Sequence, residues 1–388
     1  MKKIAPVLVI GGGPAGAACA IQLADRGVEV HLAEKAAFPR DKVCGCCLGG
    51  SGIETLSRLG LADWTMENGV AIDQWSACID GHIIEMPLPT GVAISRPKLD
   101  THLLEFAKQR GVVVRSECTA MILPESSTPL VNSGEQHDFG CGNDSIAVTL
   151  NRDPQRYASV VLAAGLNAAG LSGAGGQKML PWTEKPHGPF GVSFTIASDD
   201  HVQPGVIYME CNADGYVGLV QLESGRIDIA AAIQSGSSTS LRRVTPLDRV
   251  KNILQSGRFA SLDLDSHSKV LTTPPLRRTR VAGRGRVLAI GDSAGYVEPF
   301  TGEGMTWAMK GGIAAADCIA EHQSDLSKIG EVWARRSAKL LRSQKRTCRV
   351  LTSALNWSPT RRLIGLGLKT MPAIARPLVA RLNRVQSG

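Results

Sequence analysis

Three groups of residues in this chain have types and spacings suited to chemistry. The first is Gly11, Gly13 and Gly16 with Glu34. Glycines at these offsets let a chain turn sharply, bring backbone N–H groups close to a diphosphate and let a helix pack closely on a sheet, while the acid falls where a carboxylate accepts from an adenosine ribose. The second is Gly291-Asp292, followed by Pro299, Gly302, Gly304 and Met305. An aspartate at the end of a strand can accept from polyol hydroxyls, and backbone amides at a glycine-flanked helix start can stabilise negative charge on a ring carbonyl. The third is the thiol group Cys44, Cys46 and Cys47.

Each group needs an element to hold it. The apolar run Val7–Ile10, the glycine turn with Pro14 and Ala15, the alanine-rich stretch to Asp25, Gly27, and Val28 to Glu34 read as strand, turn, helix, strand. A diphosphate would then rest on the helix N-terminus, stabilised by unpaired N–H groups and the helix dipole without a basic side chain. Strand, glycines, helix and acid in register make this a dinucleotide site. The rival is a secretory leader formed by Lys2, Lys3 and the apolar stretch, cut after Ala18-Cys19-Ala20. Cleavage there would remove the glycine turn, so these residues read as mature fold. The polyol-binding aspartate distinguishes FAD from NAD.

Composition is that of a globular protein. With 388 residues, 43% apolar and 20% charged, two domains are expected, and no apolar stretch has the length of a membrane span. Ten cysteines without zinc-ligand spacing suggest free thiols in a reducing cytoplasm, and no metal. The charge of +8 comes from the C-terminus, where residues 331–388 hold thirteen Lys and Arg against the one acid Glu331. Aromatic residues do not alternate with these cations on a dedicated module, which excludes nucleic acid as a partner.

Periodicity divides the chain further. Helices follow Cys44-Gly45 and Arg96, a strand follows at Val112 to Val114, and Pro124 to Asn143 reads as an exposed polar loop. Val160 to Gly165 is a buried strand and glycine turn. From Phe190 to Ile233 short alternating runs predict antiparallel strands, with turns at Asp214-Gly215 and Ser224-Gly225-Arg226. The fold class expected is α/β, a Rossmann-like FAD-binding domain with an inserted, mainly antiparallel β substrate domain and a helical C-terminal tail. Residues 1–70, 94–180 and 276–325 are the three segments of the FAD-binding domain. Residues 71–93 and 181–275 form the substrate domain, and 326–388 the basic helical region.

These motifs together resemble the para-hydroxybenzoate-hydroxylase-like flavoproteins, most closely the geranylgeranyl reductase branch. The resemblance rests on Phe38-Pro39-Arg40-Asp41-Lys42-Val43-Cys44-Gly45, on Arg96 and its helix, and on Gly302-Glu303-Gly304-Met305 with Ala308 and Gly311. It covers Val7 to about Gly312. It implies FAD contacts at Gly11, Gly13, Pro14, Ala15, Gly16, Glu34, Lys35, Arg40, Cys44, Gly45, Arg96, Gly165, Asp292 and Pro299, with backbone contacts from Gly302, Gly304 and Met305. It also places Cys44 near the flavin ring, as a proton donor or as a small packing residue. Many relatives carry an Asp-Gly pair where this chain has Ala163-Ala164-Gly165. Its absence leaves two electron donors in view, NADPH and a reduced electron-carrier protein. The Trp-x-Trp-x-x-Pro run of flavin halogenases is missing, with Gly215 to Val220 in the comparable stretch.

The activity these features imply is hydride transfer from reduced flavin to a carbon–carbon double bond of an apolar, isoprenoid- or polyketide-like substrate. The alternatives are a monooxygenase acting on an aromatic or quinone-like ring and a non-catalytic flavin-binding partner protein. His82, His102, His187 and His201 stand in no constellation. Tyr208, Tyr216 and Trp75 read as core, or as facing the flavin if strand register favours it. Leu340-Leu341 with Arg342, and Leu363 to Leu382 with Lys369, Arg376 and Arg381, read as basic amphipathic helices at an anionic membrane, or as a solvated cap on the FAD-binding domain. Pro372 and Pro377 interrupt them. Localisation is expected to be cytoplasmic, with peripheral membrane contact.

Overall fold

The computed structural model describes residues 5–123, 145–166, 179–184, 188–234, 244–296, 302–340 and 342–370. The stretch Pro124 to Asn143, His187, Pro299, Leu341, and the tail with Pro372, Arg376, Pro377, Arg381 and Leu382 lie outside these residues.

Two sheets carry the architecture. The first has six strands in the order Gly283–Arg284, Val287–Ala289, Ser159–Leu162, Val7–Ile10, Val30–Ala33, Val113–Arg115. All its pairings are parallel except that between the first two. Val7–Ile10 lies at the centre and is buried on both faces, which is why it reads as an unbroken apolar run. On one face Val7 and Val9 pack with the helix Pro14–Asp25 and, beyond it, Gly304–Glu321. On the other, Leu8 and Ile10 meet Val148, Leu150 and Tyr157 of a three-stranded sheet. The two helices cross closely because Gly312 abuts the Ala15 backbone, where any Cβ would collide.

The second sheet has eight strands, running Leu271–Pro275, Phe190–Ile196, Ile227–Ile233, Gly215–Gln221, Val206–Asn212, Val70–Ile79, His82–Ala93, Cys47–Leu48. It is antiparallel except where Val206–Asn212 runs parallel to Val70–Ile79. That parallel joint brings the early hairpin 70–93 into the sheet of the later strands. Alternation is visible along Ile227–Ile233. Ile227, Ile229 and Ile233 pack with Val250, Ile253 and Leu254 of the helix Pro246–Gln255, leaving Asp228, Ala230 and Ala232 on the opposite side. Cys47–Leu48 pairs with Val92–Ala93, so the chain reaches the edge of this sheet within a few residues of Cys44.

The C-terminal helices divide between the two sheets. Ile329–Leu340 packs on the first, with Trp333 1% exposed and its Nε1 donating to the Ala289 carbonyl at 2.8 Å. Arg342–Asn356 and Ser358–Thr370 instead cover the hairpin 70–93, which corrects the expectation of a solvated cap on the FAD-binding domain. Arg361 is the anchor. It is 4% exposed, its Nε lies 2.9 Å from both Asp80 carboxylate oxygens, and Gly365 lets the helix approach the Ile79 carbonyl. Among the described residues, no helix is long and apolar enough to cross a membrane.

Candidate active site

A cavity of about 510 Å³ runs between the two sheets. Its polar end is the glycine turn. Gly11 has φ of 111°, and a side chain there would overlap the Ala163 carbonyl. Gly13 caps the helix Pro14–Asp25 with extended backbone and opens onto the cavity, with Pro14 and Ala15 beside it. Gly16 stands behind, against the Gly11 carbonyl. Glu34 is buried and holds the turn from below, accepting from Gly12 N at 2.8 Å through Oε2 and from Ala36 N at 2.9 Å through Oε1.

The helix N-terminus does not act without basic side chains, contrary to the expectation. Arg40 Nη2 and Arg96 Nη2 each lie 3.7 Å from where a Cβ on Gly13 would stand. Both are held by Asp100, which is fully buried. Arg96 donates to it through Nε and Nη2 at 2.8 Å each, and Arg40 Nη2 lies 3.7 Å from it and 3.5 Å from Glu34. The helix carrying Arg96 and Asp100 is fixed at its start by Ser95, whose N and Oγ donate to Glu223 at 3.0 and 2.6 Å. Nε and Nη1 of Arg40 are buried without a partner among the described residues. Lys42 lines the same end, its ammonium pushed down by burial and by Arg40 and Arg96.

The thiols form the corner where the two sheets meet. Cys46 N donates to Cys44 Sγ at 3.3 Å. Hydrogen bonding from the Cys46 side chain, aided by Arg96, overcomes burial and draws the Cys44 thiol down to about 6. Cys46 and Cys47 are pushed up, Cys46 first by its bond to Cys44 and Cys47 by burial. Arg96, despite burial, is held charged by Asp100 and Cys44. Across the cavity, Glu303 caps the helix Gly304–Glu321 and is 4% exposed; burial pushes its carboxyl up to about 7 against Thr306 and Lys310.

The far end is apolar. Trp75, Ile79, Met86, Met209 and Tyr216 form a wall from the second sheet, and Leu351, Leu355, Ile364 and Leu368 close it from the C-terminal helices. Trp75 and Tyr216, expected as core, line the cavity. Tyr208 lies on the other face against Phe259. His102 stacks on Trp64 at 3.5 Å and His201 pairs with Asp199 at 2.7 Å, both away from the cavity; His82 faces Gly365.

Residues 4–127 match the FAD binding domain family. The chain carries an FAD-binding domain of the para-hydroxybenzoate-hydroxylase-like superfamily. It is 27% identical over 350 residues to menaquinone reductase of Mycobacterium tuberculosis H37Rv, covering 85% of this chain and 78% of that one. It is 26% identical over 370 residues to digeranylgeranylglycerophospholipid reductase of Methanosarcina acetivorans, covering 87% and 81%. Among solved structures, p-nitrophenol 4-monooxygenase PnpA from Pseudomonas putida DLL-E4 shares the fold with a TM-score of 0.74 at 16% identity, over 99% of this chain and all of that one. The coarser activity that these comparisons support is that of an FAD-dependent oxidoreductase.

The polar end fits FAD. The open face of Gly13 flanked by two guanidiniums suits a diphosphate, and the unpartnered Arg40 nitrogens are donors awaiting anionic oxygens. The cavity also gathers Lys35, Cys44, Gly45, Gly165, Asp292, Gly302, Gly304 and Met305 around the same space. Sequence reasoning missed three acids. Asp100 is detectable as the i+4 partner of Arg96, Asp228 as a lone acid within an apolar strand, and Glu303 as the residue between two singled-out glycines.

Proposed function

We propose that this FAD-dependent oxidoreductase reduces a carbon–carbon double bond of an apolar, polyprenyl-like substrate. The observation that carries the reading is the continuity of one cavity from the arginine-flanked glycine turn to a wall of aliphatic, thioether and aromatic side chains. Reduced FAD supplies the hydride. The chain's residues do the rest. Gly13, Arg40 and Arg96 would hold the diphosphate and Asp292 would accept from the ribityl hydroxyls, while the apolar wall excludes water and aligns a hydrocarbon chain. Cys44 stands where the two regions meet and gives a proton to the carbon opposite the hydride. The names of the menaquinone and digeranylgeranylglycerophospholipid reductases support a substrate with a long isoprenoid tail.

The missing Asp-Gly pair at Ala163-Ala164-Gly165 supports a reduced carrier protein rather than NADPH as the donor. A peripheral membrane contact belongs to the same proposal. Val350, Leu363 and Leu366 on the outer C-terminal helices and Trp357 between them are exposed, among exposed Arg346, Arg349, Arg362 and Lys369. Apolar side chains set among cations are complementary to an anionic bilayer.

The experiment is product analysis by mass spectrometry. Dithionite-reduced protein is mixed without oxygen with a geranylgeranyl lipid, and separately with oxygen and a phenol or quinone. A lipid product heavier by two hydrogens supports the reductase reading. An aromatic product carrying one atom from labelled oxygen, with the lipid unchanged, overturns it in favour of a monooxygenase. No product from either mixture points to a flavin-binding partner protein.

A further inference from the structure

One buried polar group in the cavity wall has no part in this chemistry. Asp228 sits on the strand Ile227–Ile233 between Thr195 and Val220, is 6% exposed and lines the cavity. Its Oδ2 has no hydrogen-bond partner among the described residues. A carboxylate in such a place keeps its charge only if paired, and otherwise holds its proton. Burial first, and then the charge of Cys44, push this carboxyl well up.

The turn Cys44-Gly45-Cys46 comes against the same strand, with Ala230 Cβ 3.9 Å from where a Cβ on Gly45 would stand. Cys46 has φ of 51°, a left-handed conformation uncommon for a side-chain-bearing residue. In that turn the Cys46 thiol lies close enough to Cys44 and to Asp228 to influence the protonation of both. The other groups facing the set are Arg96 from its helix, Asp41 from the preceding loop and Cys47 from the edge strand. Asp228, Cys46 and Cys44 thus form a buried cluster beside Arg96.

We propose that Asp228 is the proton reservoir of the site, feeding Cys44 through the Cys46 thiol. At rest Cys44 is a thiolate facing Arg96 and the proton is on Asp228. Asp228 gives its proton to Cys46 Sγ as Cys46 gives its own to Cys44 Sγ. Cys44 then protonates the substrate carbon whose neighbour receives the hydride of reduced FAD. The double bond becomes two C–H bonds, FAD is left oxidised, and one solvent proton restores Asp228. The placement of the proton rests on the burial of Asp228 and its unpartnered Oδ2, and the last transfer on the reductase reading.

Two readouts test the placement without turnover. Iodoacetamide alkylation of Cys44 in the FAD-loaded protein is followed by peptide mass spectrometry across pH. The expected midpoint is about 6. Asp228→Asn leaves it in place because the carboxyl is already uncharged, and Cys46→Ala raises it. A midpoint lower by a unit or more in Asp228→Asn would make Asp228 an anion at rest and overturn the proposal. Infrared spectra keep the test valid should that variant fail to load FAD. In Glu303→Gln, which removes the other raised cavity carboxyl, a neutral-carboxyl band persists above pH 7; its absence contradicts the proposal.

The transfer step is read with the geranylgeranyl lipid. Asp228→Asn lowers turnover about 100-fold and flattens the alkaline limb of the pH profile, and Asp228→Glu restores part of both. An equal loss at every pH with an unchanged profile indicates a structural role and overturns the transfer. Should the wild type not reduce the lipid, the reductase reading fails, while alkylation and infrared spectra still decide where the proton rests.

Discussion

The two ends of the cavity are built in opposite ways. At the glycine turn, each contact depends on a backbone atom or a charge with few substitutes: Gly11, Gly13 and Gly16 for close approach, and Glu34 and Asp100 to tie the turn and the arginines. The apolar end is assembled from the hairpin 70–93, the strands Val206–Asn212 and Gly215–Gln221, and two C-terminal helices, with many side chains sharing one surface. Geometry of the first kind fails abruptly. Packing of the second kind degrades by degrees.

The sharpest test of this contrast is Gly16→Val. Its side chain would meet the Gly11 carbonyl and displace the turn, so the purified variant is expected to lose FAD more than about 100-fold more readily, read from flavin absorbance after gel filtration. Met209→Leu, at the other end, should keep its flavin. Equal losses in both would erase the distinction.

Next in size is Glu303→Gln. Burial pushes the Glu303 carboxyl up to about 7 from 4.5, so the native state holds a proton that the unfolded chain has released. Its contribution is fully present below pH 4.5 and is lost as pH rises towards 7. Glutamine has no proton to lose, and the variant should be more stable than the wild type by roughly 3 kcal/mol at pH 8, with little difference near pH 4. Urea unfolding at the two pH values checks this, and the opposite pH trend would contradict it.

Arg361→Met removes the bond to Asp80 that anchors the last described helix. A loss of roughly 2 kcal/mol is expected, with faster proteolysis of the tail and the FAD content unchanged. Loss of flavin would show that the two ends are less separable than the structure implies. The smallest effect is expected for Leu363→Ser with Leu366→Ser. These exposed residues should leave stability within about 0.5 kcal/mol while lowering sedimentation with anionic liposomes several-fold. Unchanged sedimentation would remove the membrane contact.

The same contrast explains what could be read from the chain. Val7–Ile10, the glycines and Glu34 lie close together in sequence, and each does in the fold what local physics requires of it, so the strand–turn–helix–strand unit at the centre of the first sheet was legible. The alternation from Phe190 to Ile233 likewise gave antiparallel strands. The parallel joint between Val206–Asn212 and Val70–Ile79 left no local trace, since a strand's pattern reports which face is buried and not which neighbour lies beside it. The C-terminal helices show the same limit. Their amphipathicity was visible, but the surface that Arg361 and Gly365 select is set by Asp80 and Ile79, far away in sequence. Asp228 stands out in the sequence only as a lone acid in an apolar strand, and its role depends on Cys44 and Cys46 being folded near it.

The central claim is that one cavity joins the FAD-binding turn to a wall shaped for a hydrocarbon chain. Its most direct test is anaerobic stopped-flow absorbance of the reduced protein on mixing with a geranylgeranyl lipid. The account predicts that flavin absorbance returns without oxygen, at a rate that saturates with lipid concentration and falls in Met86→Asp, which places a charge in the apolar wall. Flavin that stays reduced with the lipid, yet reoxidises with oxygen and yields an oxygenated phenol, would contradict it.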